Sequence, residues 1–443
     1  MMVELVETLQ FRLVIHSGER ERLAQARHDA QPIANYTLAL RRLGYSKTDI
    51  CDKVTDDLDA TEHVKNNAQQ IVRKACDAYD SYTAAHEKWR NSDDQDELPE
   101  PQPPSTNRRG AFPLVMAPGE GYTVSKTDDG RVGFRVSPQP YKKVEGVLRG
   151  RDRDLDRVRD ALGDDSEWNL GRGELLYRDG VYYLHVTVKR EQPLADPEDS
   201  ETIISVDVNE RNIAITAVDR DTRDIHANIV IDYGQVKHHR QRCYDIKRRC
   251  QEHGKPSVVA SIGNYVENYM EWTLHRISKI VEHYVEWFPK PVVVFESLEG
   301  IRNDMDYGSY MNRRLHRLPF YEFERQVTYK THRHGTPVIH VASRDNSKRC
   351  ACCGEVGSRQ DRRFQCANEA CDLAQDHADR NATVNTAVKG IAKLEYGADD
   401  HAAADNYRPH KTPPVVRVRR VGSGRVNRPT PSHEFAEVGV LST

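Results

Sequence analysis

The spacing of apolar and polar positions divides the first 192 residues into a β part and a helical part. Residues 3–15 alternate as in a strand, whereas from about Glu19 to Trp89 the apolar positions recur at helical spacing. Alternation of the β type returns at 130–136 and at 173–192, where an Arg-Asp-Gly turn predicts a hairpin. The pattern therefore predicts a helical module inserted into a β domain whose first strand is N-terminal.

Beyond Pro193 the pattern predicts a mixed α/β domain. The expected strands cover 202–210, 212–219, 226–234, 290–297 and 336–343, and the expected helices cover 265–288, 320–335 and 381–397. Three strands followed by helix, strand, helix, strand and helix is the order of a ribonuclease-H-like domain. In that fold strand 1 is central, with strand 2 on one side and strand 4 on the other.

Three acidic residues occupy positions that this topology brings to one place. Asp207 lies in strand 1, Glu296 ends strand 4, and Asp379 stands near the start of the last helix, with Asp376 close by. Each has an ordinary explanation when taken alone. Asp207 can face solvent or cap a turn, strand ends are often polar, and acids suit a helix N-terminus.

Considered as a set, the three acids predict a catalytic metal centre. Oxygen ligands suit Mg²⁺ or Mn²⁺, and two such ions about 4 Å apart can activate water and stabilise the leaving oxygen of a phosphodiester. Asp207, Glu296 and Asp379 are therefore the predicted catalytic residues and metal ligands. No nucleophilic side chain is needed.

A cysteine-rich segment separates the last expected strand from the last expected helix. Cys350 and Cys353 are spaced C-x2-C with Gly354 after them, and Cys366 and Cys371 are spaced C-x4-C. Four thiolates at this spacing predict one structural Zn²⁺ ion, and Cys352 is a surplus thiol able to replace a neighbour as ligand. The polar segment between the pairs has no core of its own, so we expect it to need the metal to fold.

Composition restricts the function classes. The chain has 443 residues, 37% hydrophobic, with a net charge of −3, and a mean hydropathy of −0.76. No apolar run is long enough to predict a membrane span, and the N-terminus is typical of a strand rather than a signal peptide. Such a length predicts two to four domains.

The charges are segregated into acidic and basic stretches, and we expect local patches to matter more than the sum. Basic stretches lie at 237–250, 312–317 and 415–428. The runs at 237–250 and 312–334 are candidate phosphate contacts, as is one polar face of the helix that contains residues 67–89. An ordinary solvated face explains each of them equally well. The candidate contact residues are Lys65, Asn66, Gln69, Gln70, Arg73, Lys237, Arg240, Arg248, Arg313 and Arg314.

With these residues in place, the chain resembles the TnpB family, which comprises transposon-encoded, RNA-guided DNA endonucleases related to the type V CRISPR effectors. The resemblance rests on blocks such as "SVDVNERNIAIT", "VVVFESLEGIR" and "FQCANEACDLAQDHADRNATVNTA". It implies a RuvC nuclease with the acidic triad Asp207, Glu296 and Asp379 and a zinc ribbon on the four paired cysteines. The family often has Asp-Arg-Asp before the last Asn-Ala, whereas here His377 and Ala378 replace the first two residues and Asp379 is kept.

The resemblance implies a multidomain α+β fold. The expected parts are a discontinuous, barrel-like wedge β domain (1–18 and 105–198), a helical recognition module (19–90), a linker (91–104), a ribonuclease-H-like RuvC domain (199–346 and 374–397), an inserted zinc ribbon (347–373) and a disordered basic tail (398–443).

The resemblance also implies the partners. We expect a guide RNA from the transposon end and a double-stranded DNA target beside a short adjacent motif. We expect a cytoplasmic, nucleoid-associated prokaryotic protein that needs neither a membrane nor oligomerisation. The alternatives are an RNA-guided DNA-binding regulator without cleavage, a transposase-type accessory protein and a guide-independent nuclease. The presence of all three acids argues against the regulator.

Overall fold

The structure is a computed structural model that describes residues 1–57, 64–91, 100–104, 112–209, 212–297 and 320–398, together with 404, 408–409 and 416–418. The chain divides into two compact units. One comprises 4–191, and the other comprises 1–3 and 192–443. Among the described residues, no helix is long and apolar enough to cross a membrane. Most of the predicted linker at 91–104 and residues Arg313 and Arg314 lie outside the described residues.

The unit 4–191 contains a seven-stranded sheet. Its strands are β1 Met2–Val14, β2 Leu114–Met116, β3 Tyr122–Lys126, β4 Val132–Gln139, β5 Lys142–Arg149, β6 Asn169–Arg178 and β7 Val181–Pro193. They are ordered β2-β6-β7-β1-β5-β4-β3. The β6–β7 hairpin turns through Asp179 and Gly180, both at positive φ, which is the conformation that an Asp-Gly turn favours. This hairpin is the one that the sequence pattern predicted.

Helices are inserted between β1 and β2, as the pattern predicted. They are α1 Arg20–Arg42, α2 Lys47–Asp57 and α3 Lys65–Arg90, and a fourth helix, α4 Asp152–Asp160, follows β5. One face of α3 buries Ile71, Val72 and Ala75, the spacing expected of a helix packed on one side. The wedge and recognition-module assignments of these elements stay predictions.

The second unit is a mixed α/β structure around a six-stranded sheet. Its first five strands are β8 Thr202–Val208, β9 Asn212–Asp219, β10 Ile225–Asp232, β11 Pro291–Ser297 and β12 Val338–Ala342. They are ordered β12-β11-β8-β9-β10. The pairs β8–β9 and β9–β10 are antiparallel, whereas β8–β11 and β11–β12 are parallel. The first strand of this unit therefore lies between the second and the fourth.

Helices cover both faces of this sheet. They are α5 Gly234–Glu252, α6 Pro256–Val285, α7 Phe320–His332 and α8 Ala378–Tyr396. Because side chains alternate along a strand, Ile204 of β8 packs with α6 and α7, and Ile203 packs with α8. Gly390 permits the close approach of α8, since a Cβ there would lie 2.9 Å from Val294 Cγ2.

Helix α6 begins nine residues earlier than predicted. The pattern predicted a start at 265, because the segment from 256 to 264 lacks a clear apolar stripe. Pro256 occupies the first turn, where proline fits a helix without losing a hydrogen bond. Gly254, at φ +63°, ends the turn that leads out of α5. The two helices therefore follow one another with only residues 253–255 between them.

A small three-stranded sheet lies between β12 and α8, formed by β13 Ser358–Gln360, β14 Arg363–Gln365 and β15 Gln375–His377. Most of the predicted disordered tail (398–443) lies outside the described residues, and its assignment stays a prediction. Strand β16 Val416–Val418 pairs in parallel with the edge strand β10, because a Val-Arg-Val alternation suits a sheet edge. Arg408 is buried and donates hydrogen bonds to Cys350 O at 2.7 Å and Asn385 Oδ1 at 2.9 Å.

Candidate functional site

Asp207 lies in the central strand β8, on the sheet face that α8 covers. Ser205, two residues earlier and so on the same face, donates a hydrogen bond to Thr383 O of α8 at 2.7 Å. Asp207 Oδ2 accepts a hydrogen bond from Asn209 Nδ2 at 2.9 Å. The polar face of an otherwise apolar strand therefore holds a carboxyl group on the α8 side of the sheet.

Glu296 follows on the neighbouring strand. In the parallel register of β11 and β8, Phe295 is opposite Val206, so Glu296 is one step further along, beside Asp207. Glu296 Oε1 accepts hydrogen bonds from Asn346 Nδ2 at 2.8 Å and from Thr386 Oγ1 at 3.0 Å. Asn346, which follows β12, and Thr386, which lies in α8, thus fix the orientation of this carboxylate.

Asp379 stands in the first turn of α8 and is 2% exposed. Its Oδ2 accepts a hydrogen bond from Asn212 Nδ2 of β9 at 2.8 Å, and its Oδ1 accepts one from Arg359 Nη2 of β13 at 2.9 Å. The N-cap residue of α8 is His377. The contacts of Asp379 are therefore directed at the sheet and at the small β13–β15 sheet, unlike those of a helix cap.

Asp376 has a different role from Asp379. Its carboxylate forms an ion pair with Arg380, with Asp376 Oδ1 2.6 Å from Arg380 Nη2, and both side chains are nearly buried. Burial raises the pKa of Asp376, and the bond from Arg380 opposes that shift. This pair fastens the first turn of α8 and leaves Asp379 as the acid that faces the sheet.

The three carboxyl groups act on one another electrostatically. Burial raises the pKa of Asp207 to about 8, and the negative charges of Glu296 and Asp379 add to that rise, whereas the hydrogen bond from Asn209 and the charge of Arg359 oppose it. Burial also raises the pKa of Glu296, against the hydrogen bonds from Asn346 and Thr386 and the charge of Lys389. These residues therefore form one buried site whose like charges repel.

The chemistry of the donors suits a hard divalent cation, although their oxygens do not all lie within 4.8 Å of one another as the sulfurs of the cysteine cluster do. Three carboxyl groups supply the oxygen ligands that Mg²⁺ and Mn²⁺ prefer. Carboxyl groups that repel one another in a buried site are stabilised when a cation lies between them. Asp207, Glu296 and Asp379 are the residues that would hold it.

A second candidate metal site lies beside the small three-stranded sheet, in the segments before β13 and between β14 and β15. Four cysteines have Sγ atoms that all lie within 4.8 Å of one another, namely Cys350, Cys353, Cys366 and Cys371. The sulfur–sulfur distance is 3.8 Å for Cys350–Cys371 and 3.5 Å for Cys353–Cys366. Four sulfurs about 2.3 Å from a tetrahedral zinc ion would lie roughly 3.8 Å apart. The spacing of the cluster therefore suits one Zn²⁺ ion.

The turn after Cys350 supports this geometry. Gly354, at φ +80°, donates its backbone N–H to Cys350 O at 2.9 Å. Burial raises the pKa of the Cys350 thiol, and backbone N–H groups of Cys353 and Cys352 oppose that rise by donating to it. Phe364, fully buried, packs with Cys350 as the apolar floor of the cluster. Among the described residues, these four cysteines form the group whose ligand atoms all lie close enough together to share one metal ion.

Sequence reasoning missed several side chains of the carboxylate site. Arg359 lies in a run of arginines that offered no sign of which one points inward. Asn209 and Asn212 were visible as amides directly after the acid of strand 1, and Asn346 as an amide just after the last strand. A polar residue that follows a strand bearing a buried acid is the signal that would have found them.

The predicted nucleic-acid contacts fall on two helices. Lys65 and Arg73 are exposed on α3, with Asn66, Gln69 and Gln70 half-buried beside them, so the predicted polar face points outward. On α5, Arg248 is exposed and lies 3.8 Å from Glu252, Arg240 is half-buried, and Lys237 belongs to the same helix. Contact with nucleic acid stays a prediction for all of them.

Comparisons with known proteins agree with the motifs. The family model described as "Cas12f1-like, TNB domain" matches residues 320–386, which run from α7 to the first part of α8. A TnpB-like protein of Methanocaldococcus jannaschii is 27% identical over 202 residues, which cover 43% of this chain and 70% of that protein.

Two further similarities concern Cas12f1 proteins. The CRISPR-associated endodeoxyribonuclease Cas12f1 of Sulfoacidibacillus thermotolerans is 28% identical over 139 residues, which span 31% of each chain. The fold is similar to the protein in a cryo-EM structure of a Cas12f1–sgRNA–target DNA complex, with a TM-score of 0.56 at 14% identity, covering 87% of this chain and 99% of that one. These findings confirm the predicted resemblance to the TnpB family.

Proposed function

We propose that this chain, which resembles the TnpB family, is an RNA-guided endonuclease that cleaves double-stranded DNA beside a short adjacent motif. Its guide would be an RNA transcribed from the end of the transposable element that encodes it. The observation that carries the proposal is the buried group of Asp207, Glu296 and Asp379, in which each acid comes from a different element. Burial raises the pKa of Asp207, and the negative charges of the other two acids add to that rise.

The sheet supports a ribonuclease-H-like RuvC domain as the source of the activity. Strand β8 lies between β9 and β11, and its neighbours run antiparallel and parallel to it. Neighbouring strands about 4.8 Å apart bring Asp207 and Glu296 close enough to bind the same pair of metal ions. A wedge domain and a recognition module in the unit 4–191 would complete the arrangement that the family resemblance implies.

The residues of the site suit phosphodiester hydrolysis. When bound, two Mg²⁺ or Mn²⁺ ions would supply an activated water and stabilise the charge on the leaving oxygen. Asn346 and Thr386 hold Glu296 in one orientation, and Asn212 does the same for Asp379. Arg359, a cation in direct contact with Asp379, is placed to attract a phosphate to the site.

The cysteine cluster would hold one structural Zn²⁺ ion. Arg359 belongs to β13, and β15 ends at His377 immediately before α8 begins. The small sheet that the cluster stabilises therefore positions both Arg359 and the first turn of α8. In this proposal zinc takes no part in the chemistry, and the small sheet that it stabilises positions Asp379.

The experiment that tests the function has two stages. The full chain is purified from cells that also carry the flanking DNA, and the RNA that copurifies is sequenced. Its 3′ part is then replaced by a chosen guide, and a plasmid library with the matching target beside randomised flanks is incubated with the complex and Mg²⁺. We expect double-strand cuts only next to a particular short flank. Absence of bound RNA, or cutting that does not depend on the guide, would reject the proposal.

A further inference from the structure

An exposed row of aromatic rings runs along α6. Tyr265, Tyr269 and Trp272, which we call the aromatic column, are spaced four and three residues apart and so share one helix face. The ring centroids of Tyr265 and Tyr269 lie 6.3 Å apart with planes inclined by 15°, and those of Tyr269 and Trp272 lie 6.1 Å apart with planes inclined by 28°. The column therefore presents nearly parallel aromatic planes.

Two neighbouring side chains hold the column in place. The His239 ring of α5 lies 4.7 Å from the Tyr269 ring, and its Nε2 is 3.0 Å from Tyr265 Oη. At the other end, the Arg276 guanidinium lies 4.4 Å from the centre of the Trp272 ring. The rings are therefore ordered before any ligand arrives, which reduces the entropy lost on binding.

Packing in the hydrophobic core of this unit does not account for the aromatic column. Leu274, Ile277 and Val281 of α6 are buried against the sheet, whereas Tyr265 is 51% exposed and Trp272 is 53% exposed. A single exposed aromatic residue is ordinary. Three ordered rings in a row, capped by an arginine, form a surface that matches planar, aromatic ligands.

The adjacent helix supplies positive charge. Helix α5 carries six lysine and arginine residues against two acidic residues, in a chain whose net charge is −3. Arg242 and Arg249 are exposed along with Arg248. The exposed Glu271 beside the column lies 3.9 Å from His275. Charge near the column is therefore predominantly positive on the α5 side, which favours a polyanion.

We propose that the aromatic column and the basic helix α5 bind single-stranded nucleic acid, with bases stacked on the rings and phosphates near the α5 cations. A duplex keeps its base faces inside the stack, whereas a single strand offers them freely. A protein partner would instead favour an apolar centre depleted of charge. The biological source of the strand, a guide RNA or a displaced DNA strand, rests on the proposed function, but the binding itself does not require cleavage.

The test measures binding of fluorescein-labelled 12-nucleotide probes by anisotropy, with the zinc-replete full chain and no added Mg²⁺. The probes are one unstructured RNA, the DNA of the same sequence, and the corresponding duplex. We expect the double variant Tyr265→Ala/Trp272→Ala to bind the better single strand about tenfold or more weakly, and the duplex less than about twofold more weakly, because each stacked base contributes substantially to affinity.

Two matched variants separate stacking from other effects. Tyr265→Phe/Trp272→Phe keeps two aromatic planes and should bind single strands within about threefold of the unchanged protein. Tyr141→Ala removes a fully exposed tyrosine far along the chain and should not change the affinity for any of the three probes. The melting temperature of each variant shows that it is folded. Unchanged single-strand affinity in the alanine variant, or an equal loss for duplex, would overturn the proposal.

Sedimentation of the same variants tests whether the column is instead an interface between copies of this chain. If the unchanged protein self-associates and the alanine variant does not, while oligonucleotide affinity is the same for both, the column is a protein interface and the proposal is wrong. Tighter binding of the RNA probe would favour a segment of the guide as the natural ligand, and equal or tighter binding of the DNA probe would favour a displaced strand.

Failure of this inference is distinguishable from failure of the proposed function. A protein that cuts guided targets, and whose alanine variant binds single strands normally, retains the function and loses the inference. A protein that never cuts, and whose alanine variant loses single-strand binding, retains the inference and loses the function.

Discussion

The carboxylate site and the cysteine cluster are both candidate metal sites, yet the fold prepares them in opposite ways. The four thiols already lie within 4.8 Å of one another, at spacings that suit a tetrahedral ion. The three acids form their own hydrogen bonds to Asn209, Asn346 and Arg359, and burial, together with their mutual repulsion, raises the pKa of Asp207. The cysteine cluster is arranged as a permanent ion would require, whereas the carboxylate site contains unfavourable charge that a catalytic ion would relieve.

This difference indicates where each metal acts. A structural ion contributes to folding, so its loss should unfold the part around it. A catalytic ion bound by acids that repel one another contributes to the reaction, and without that ion the repulsion lowers the stability of the folded protein. The two regions meet at Arg359, which lies in the small sheet beside the cysteines and bonds to Asp379.

The largest expected effect comes from removing the central acid. Asp207→Ala should lower guided DNA cleavage on the order of 10³-fold, since charge stabilisation by metal ions contributes several kcal/mol to the transition state. Guided DNA binding, measured by gel shift with Mg²⁺, should stay within about threefold. The exposed Asp221→Ala serves as the control and should cut normally. Undiminished cutting by Asp207→Ala would remove the carboxylate site from the mechanism.

The next effect tests the cysteine cluster. Cys350→Ser removes a buried ligand, so we expect zinc affinity to fall by roughly 100-fold or more and the small sheet to lose its order. Zinc content by mass spectrometry and protease sensitivity near residues 347–377 measure this. Cys51→Ser, a half-buried cysteine of α2, should leave both unchanged. A Cys350→Ser protein with full zinc and full cutting would contradict the ligand set.

A smaller effect distinguishes the two regions by stability. Asp207 has a folded-state pKa of about 8 and an unfolded value of about 3.9. Between these values the unfolded chain releases the proton and the folded chain keeps it, so this residue lowers stability as pH rises through that window. Asp207→Asn should therefore raise the free energy of unfolding at pH 8 by about 1–3 kcal/mol in Mg²⁺-free buffer.

The same variant should show less than half of this gain at pH 5.5, because most of the cost develops between pH 5.5 and pH 8. Urea unfolding of both proteins at the two pH values measures it, with zinc present throughout. Adding Mg²⁺ should stabilise the unchanged protein and leave Asp207→Asn almost unaffected, because an ion stabilises only the state that binds it. A gain of equal size at both pH values would mean that packing, rather than charge, is the cause.

Much of this architecture was predictable because it depends on local patterns. Strand alternation gave the order of elements around β8, and the C-x2-C and C-x4-C spacings gave four cysteines that the structure brings together. Arg359 was not predictable, because its partner Asp379 is 20 residues away and only the turn between β13 and β14 decides which arginine faces inward. Strand β16 was missed because a short Val-Arg-Val segment in a basic tail has no pattern of its own and pairs only where β10 offers an edge.

The smallest expected effect concerns the surplus thiol. Cys352 lies beside Cys371, but its sulfur is outside the group of four sulfurs that all lie within 4.8 Å of one another. Cys352→Ser should therefore keep one zinc ion per chain and cut DNA within about twofold of the unchanged protein, in contrast to Cys350→Ser. If Cys352→Ser loses zinc as readily as Cys350→Ser does, the fifth cysteine is a ligand and one member of the proposed set is not.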